Sequence, residues 1–446
     1  MSPPAWIRSW ASSWSVSMAR RETSTGGRDA TKGIIPGKFG LSVGKPNTVA
    51  PPDFSWTKLT DVARLESGHT PSRSNSTYWN GAIPWVSIRD ATGNHGKTIY
   101  RTAQYITEKG LENSSARLLP PSTVCLSRTA SVGYVITMGV PMATSQDFVN
   151  WVCGPQLAPY YLHYLLMAEQ DSIRRFAHGT THQTMYYPEA KALHVCIPDR
   201  SEQDGIVEVV GALDDKIAAN AKLASTAVEL AEMKFAAAVR DVDFSEKTFA
   251  DLTCVRGGGT PRTGVDDYWG GDVDWATPTD VTALPGPYLE STARRITYSG
   301  LDACASALYP AGSILMTSRA TIGAFAVAQR STAVNQGFIV VNPHDPGLKW
   351  WIYHEMHSRV DEFVSLANGA TFLELSRGNF KKFRVRLAED IVMKGFGTQA
   401  AALHARARAA FLENSALASI RDALLPQLMS GKIRVKDAEK MVEGVV

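Results

Sequence analysis

Hydrophobic and polar positions along this chain fall mostly into short runs bounded by Gly, Pro, Asn and Ser. "IPWVSI" (83–88), "STVCLSR" (122–128) and "YVITM" (134–138) predict strands. So do "GSILMTSR" (312–319), "AFAVAQ" (324–329) and "GFIVV" (337–341). Helical spacing replaces alternation at 159–177 and 348–367, predicting one helix in each place. Two longer helical stretches follow, 200–240 and 391–431. In the first, Ile206, Val210, Leu213, Ile217, Asn220, Ala224, Ala227 and Ala231 take heptad positions a and d. In the second, Phe396, Ala400, Leu403, Ala407, Ala410, Asn414, Leu417 and Arg421 keep the same register. About 40 residues at 1.5 Å each make roughly 60 Å of helix. Alanine at the seam allows close approach, polar Asn414 and Arg421 predict a weaker end, and Pro426 and Gly431 close the second helix.

The two sets of elements are copies of each other. "HTPSRSNSTYWNGAIPWVSIRD" (69–90) returns as "GTPRTGVDDYWGGDVDWATPTD" (259–280), with Thr-Pro, Tyr-Trp, Gly, Trp and Asp at equal spacing. Laid on each other without a gap, 54–198 and 244–388 share 32 identities in 145 positions. Average composition gives about nine, so the excess establishes a duplication. A period of 190 residues is too long for a solenoid. It indicates two copies of a whole mixed domain, each followed by a long helix. The expected fold is α+β: two tandem mixed α/β domains separated by two long antiparallel, coiled-coil-like helices, with a pseudo-twofold internal repeat. The expected boundaries are a partly disordered N-terminal arm (1–53), first domain (54–198), first helix (199–243), second domain (244–388), second helix (389–434) and C-terminal tail (435–446).

Composition adds modest constraints. The 446 residues carry 46 Lys and Arg against 43 Asp and Glu, a net charge of +3 that does not by itself advertise nucleic acid. The distribution is uneven: 199–243 holds 5 basic and 10 acidic residues, unlike its neighbours. Five separated cysteines without a CxxC pair suggest neither disulfides nor zinc and point to a reducing, cytoplasmic compartment. No apolar run approaches the roughly 18 residues of a membrane span. The N-terminus lacks a continuous apolar stretch, so no signal peptide is expected. Met18, followed by Ala-Arg-Arg, is read as the natural start, with 1–17 an over-extended reading frame.

Catalytic patterns are hard to find. "PPDF" (51–54) reverses the order an amino-methyltransferase motif needs. Gly259–Gly264 has phosphate-loop spacing but lacks the following Lys-Ser/Thr. "HEMH" (354–357) is one residue short of HExxH and reads as a helix face. His178 and His182 flank Gly179 in a loop. Asp171 with Glu189-x-Lys191 imitates a nuclease set, but the second copy has Asp361, Asn379 and Lys381, so a solvated surface is the better reading. Tyr78, Trp79, Trp85, Tyr268, Trp269 and Trp275 could stack on DNA, yet their survival through duplication favours a core role for most. Arginine is better suited to contact, since its planar fork bonds guanine or phosphate bidentately. The candidate DNA contacts are Arg73, Tyr78, Arg89, Arg128, Arg262, Tyr268, Thr277 and Arg319.

Taken together, "LTDVARLESGHTPSR…YW.G.IPWVSIRD" (59–90) and its copy, "SRATIGAFAVA…NQGFIVV" (318–341) and "LASIRDALLPQLMSGKIRV" (417–435) resemble specificity subunits of type I restriction-modification systems. The resemblance covers about residues 30–435. It implies a non-catalytic subunit whose two target-recognition domains each read half of a split, asymmetric site in double-stranded DNA. It also implies helices that dock DNA methyltransferase subunits, two of them, with Leu213, Ile217, Leu403 and Leu417 as candidate partner-binding positions. Restriction/translocase subunits would join through the complex. No cofactor is implied for this chain; S-adenosylmethionine, ATP and Mg would sit on partners. The first copy departs in detail: "SRTASVG" (127–133) is displaced by one residue from "SRATIG" (318–323), and "SQD" (145–147) replaces "NQG". Two other readings stay open: a module of a type II methyltransferase-nuclease, and a two-domain carbohydrate- or protein-binding module.

Overall fold

The computed structural model describes residues 33–179, 183–367 and 374–443. The sequence readings on 1–17, Met18 and His182 lie outside them. The chain divides into two compact units: one takes in the described residues up to Val209 with Leu424–Met441, the other Val210–Ala423.

Each unit contains the same mixed domain. In the first, a five-stranded sheet runs in the order Ala63–Ser67, Phe148–Cys153, Val124–Ser127, Val135–Met138, Lys97–Ile99. In the second, the order is Thr253–Arg256, Phe338–Pro343, Ile314–Thr317, Phe325–Ala328, Tyr288–Leu289. The central strands are buried along their whole length. That accounts for their unbroken apolar letters, since a strand covered on both faces has no polar side to alternate with. A three-stranded sheet joins Ala143–Thr144, Trp79–Val86 and Gln104–Ile106 in one copy, and Arg295–Ile296, Trp269–Ala276 and Thr332–Val334 in the other.

Position for position, the backbones of the copies agree at an offset of 190. Ala130 and Ala320 both have positive φ (61° and 59°), as do Gly133 and Gly323 (94° and 85°). Ser127 and Thr317 each donate to the main chain four residues on. The one-residue displacement of "SRTASVG" is therefore a displacement of letters only. Arg128 and Arg319 are not equivalent; Arg128 matches Ser318.

Two expected elements differ. The helix at 159–177 is two helices, Pro159–Ala168 and Gln170–Phe176, and that at 348–367 is Lys349–His357 and Val360–Ser365. At the first break Glu169 turns its fully buried carboxylate onto the main chain of 38–41. It accepts from the N–H groups of Lys38, Phe39, Gly40 and Leu41 at 2.9, 2.6, 2.9 and 3.1 Å. This contact also accounts for 33–53, placed above in an N-terminal arm. Ile35–Pro36 and Leu41–Val43 add two strands beside Leu193–Ile197 and Ser55–Lys58. At the second break stands Arg359, which bonds Glu355, Glu362 and the Arg384 carbonyl instead.

The long helices run Arg200–Ala238 and Asp390–Met429. Pro426 does not end the second: it sits inside the last turns, and the helix stops where Gly431 adopts a φ of 66°, a conformation glycine reaches without strain. Within the second unit the two helices pair antiparallel. Val210, Leu213, Ala224, Ala231, Ala400, Ala407 and Leu417 are buried along the seam. The polar seam positions make side-chain bonds, although Asn414 Oδ1 is buried without a partner. Asn414 Nδ2 donates to the Ile217 carbonyl at 3.0 Å, Asn220 Nδ2 to Glu413 Oε2 at 2.9 Å, and Arg421 pairs with Asp214 at 2.7 Å. Polar pairs of this kind fix register where alanine packing alone would allow slippage. The tail expected at 435–446 holds a helix, Val435–Val442. Val435 rests against Gly205, and Arg434 bonds Asp53 at 2.7 Å.

Candidate nucleic-acid interface

The duplicated stretch builds the same framework twice. Trp85 Nε1–H donates to the His69 carbonyl and Trp275 Nε1–H to that of Gly259, each at 3.0 Å. Trp79 Nε1–H reaches the Ser72 carbonyl at 3.1 Å and Trp269 that of Arg262 at 3.3 Å. Trp79 and Trp85 meet edge to face at 5.2 Å and 85°, and Trp269 and Trp275 at 5.2 Å and 86°, the geometry that ring quadrupoles favour. Thr70 Oγ1 and Thr260 Oγ1 each donate to a glutamine, Gln146 and Gln336, at 2.6 Å. Asp90 accepts from Ser87 N–H and Oγ–H and from Ala103 N–H; Asp280 accepts from the same set on Thr277 and Ala293. Gly81 and Gly271 admit no side chain, since a Cβ there would run into the main chain of Ile106 and of Thr297. The repeated Thr, Trp, Asp and Gly thus each have a structural task, and the tryptophans belong to the framework.

The residues that differ sit on this framework. In the first copy a cleft is lined by Arg73, Ser76, Trp79, Asn80, Gln104 and Tyr105. Arg73 holds its guanidinium 4.1 Å above the Trp79 ring and donates to Gln104 Oε1 at 3.1 Å. Asn80 has a φ of 60°, uncommon for a residue with a side chain; its counterpart Gly270 has 78°. In the second copy the cation over the tryptophans is Arg294, 3.7 Å from the Trp269 centroid. Its neighbour Arg295 pairs with buried Asp274 at 3.1 Å. The first copy has Tyr105 opposite Pro84 there, so this cross-strand pair changed together.

The other candidate contacts scatter. Arg262 is exposed, and only its main chain takes part, as an acceptor for Trp269. Arg89 is exposed on the helix Ile88–Gly93. Arg128 donates to the Gln146 carbonyl at 3.0 Å and lies 4.8 Å over Tyr187. Arg319 pairs with Glu374 at 2.9 Å. Tyr78 and Tyr268 are half-buried, and their carbonyls each accept an N–H, from Thr107 and Thr297, at 3.0 Å. Thr277 gives its hydroxyl proton to Asp280 as a helix cap. Sequence reading missed Arg294, Gln104 and Asn80; the signal was available as the positions inside the repeat where polar residues differ. Of the helix positions, Leu213 and Leu417 are fully buried in the chain's own packing, so they hold the helices and do not face a partner. Ile217 and Leu403 are half-buried.

Motifs suspected of other chemistry have structural partners. Asp171 pairs with Lys38 and Arg174, while Glu189 lies 3.5 Å from His178. In "HEMH", His354 is buried and its Nε2 faces His404 Nε2 at 3.0 Å. Among the described residues no cluster of three or more His, Cys, Asp or Glu is placed to hold a metal ion, and no helix is long and apolar enough to cross a membrane.

Residues 51–227 and 241–389 match the family model described as type I restriction modification DNA specificity domain. The type I restriction enzyme MjaIX specificity subunit of Methanocaldococcus jannaschii is 34% identical over 145 residues, 32% of this chain and 34% of that one. The EcoR124I/EcoR124II specificity subunit of Escherichia coli is 25% identical over 170 residues, 36% of this chain and 41% of that one. These matches span well under half the length of either relative. Among solved structures, the type I restriction-modification S subunit from M. genitalium shares the fold with a TM-score of 0.58 at 15% identity, over 86% of this chain and 98% of that one.

Proposed function

Since this chain belongs to the type I restriction modification DNA specificity domain family, we propose that it is the DNA-recognition subunit of a type I restriction-modification complex. Residues 54–198 read one half of a bipartite, asymmetric site and 244–388 the other. The long helices dock two methyltransferase subunits, and restriction/translocase subunits join through the complex. Methyl transfer and cleavage, with their S-adenosylmethionine, ATP and Mg, belong to those partners. The complex works in the cytoplasm.

One observation carries this reading. Two copies of one framework hold the same tryptophan pair to within a degree or so, while the cleft residues on it differ. A framework kept constant beneath divergent polar groups suits two readers of different words, because base edges are told apart by donor and acceptor placement. The test is single-molecule sequencing of methylated adenine in cells with and without this chain. The expected result is a split, non-palindromic motif that disappears with the chain. A continuous palindrome, or an unchanged pattern, would refute the proposal.

A further inference from the structure

We propose that Arg73 and Arg294 are the specificity-determining guanidiniums of the two domains, each presented to a guanine edge from above the tryptophan pair. This rests on the DNA-reading assignment above. Arg73 and Arg294 are not equivalent in the repeat. The counterpart of Arg73 is Thr263, and the counterpart of Arg294 is Gln104. Yet both guanidiniums take the same station, 4.1 Å over Trp79 with 5.2 Å to Trp85, and 3.7 Å over Trp269 with 5.4 Å to Trp275. One reaches it from the loop before the Trp79 strand, the other from the residue preceding Arg295–Ile296. A cation that keeps its place while its chain position changes indicates a requirement for the charge at that place.

The geometry favours a base edge over a phosphate. A guanidinium held 3.7–4.1 Å over an indole has its position restricted, and beyond the one bond Arg73 gives to Gln104 its remaining N–H groups suit the directional fork of guanine O6 and N7. A phosphate clamp needs no such alignment. Arg294 enters no ion pair among the described residues, although its neighbour Arg295 does. The surroundings then diversify the readout. Arg73 stands beside the Gln104 amide and near Asn80, whereas the second domain offers Thr263 and the bare Gly270. The two words should each contain a guanine and differ beside it.

The test uses the full chain with its methyltransferase partner, reading methylated adenines genome-wide. Arg294→Ala should relax one guanine of one half-site, with a roughly tenfold to hundredfold loss of discrimination there, leaving the other half intact. Arg73→Ala should do the same to the other half. Thr263→Arg combined with Arg294→Gln returns the cation from the loop side and should restore the guanine preference, which a folding defect could not produce. Uniform loss of methylation without relaxation of a word, together with failure of the double variant to rescue, would overturn the inference in favour of a phosphate or structural role. Unchanged words in both alanine variants would overturn it outright while leaving the two-reader assignment intact. If the parent complex marks no bipartite site, that assignment falls and this inference with it.

Discussion

His354 and His404 face each other ring to ring in the second unit, their Nε2 atoms 3.0 Å apart, with Tyr288 Oη 2.8 Å from His404 Nδ1. Trp350 stacks on His404 at 3.7 Å and 1°. Burial holds the Tyr288 hydroxyl in its protonated form. A chain in which Tyr288 donates to His404, and His404 donates to His354, uses one proton per bond and needs both rings neutral. This small network joins the second mixed domain to the second long helix. Around it lie His357, Lys349 and Glu232, the last 3.6 Å from His357.

Acid should therefore loosen that junction. Burial, with neighbouring positive groups, pushes both rings down to about 3 from the ordinary 6.5. The unfolded chain takes up protons below 6.5 that the folded chain refuses until about 3, so stability is intact above 6.5 and falls through that window. At pH 5 the coupled pair already contributes to that loss, since the unfolded rings are then charged and the folded ones are not. Urea midpoints at pH 7 and pH 5 should differ accordingly, and His354→Phe with His404→Phe should shrink the difference. An identical parent midpoint at both values would refute this.

Much of the architecture was legible in the sequence because duplication doubles every signal. A strand such as Ile314–Thr317, buried on both faces, writes an apolar run, and its copy writes another 190 residues away. What escaped notice depends on single side chains acting over long sequence distances. Glu169 looks like one more helix residue, yet it breaks the helix by collecting four N–H groups some 130 residues back. Arg294 was hidden because attention to the shared letters passes over the differing ones, and those carry the cleft. Arg262 was chosen for its type; its side chain is exposed, and its carbonyl serves the framework.

The Glu169 contact leads to a stability prediction. Alanine there takes the carboxylate from Phe39, Gly40 and Leu41 N–H, while Lys38 N–H keeps Ser172 Oγ at 3.2 Å; each of the two buried donors, Gly40 and Leu41, left unmet costs about 1–3 kcal/mol. Glu169→Ala should release 33–43 from the sheet, seen as fast hydrogen exchange at the amides of Lys38 to Leu41 and cleavage by added protease. Glu169→Gln keeps the oxygen but loses the charge and should be milder. Equal protection in all three proteins would exclude the role assigned to this residue.

A charge at the seam of the long helices should be costly. Leu213→Asp puts a carboxylate where no water reaches, at several kcal/mol. Ala407→Leu adds bulk at a fully buried position and should cost about 1–3 kcal/mol. Both variants should bring less methyltransferase down on co-purification, because the docking face is distorted through its support. Stoichiometric association with an unshifted melting curve would argue against the helices as the docking element.

The chimera with the most informative boundary exchanges a whole reader. Replacing 54–198 by the corresponding segment of a relative should change one half of the methylated motif and leave the other unchanged. The structure adds a condition. Strands Ile35–Pro36 and Leu41–Val43 belong to the first domain's sheet, and Glu169 grips 38–41 from inside the exchanged segment. An exchange starting at 54 therefore separates Glu169 from its donors unless the incoming domain carries an acidic residue at that place. Starting at 33 keeps the contact within one parent. The longer exchange should be the more soluble and the more active, while both should specify the same new half-site. Methylation motifs and yields of the two chimeras decide the matter. Equal yields would deny the 33–53 segment its part in the domain, and a change in both half-sites would end the two-reader model.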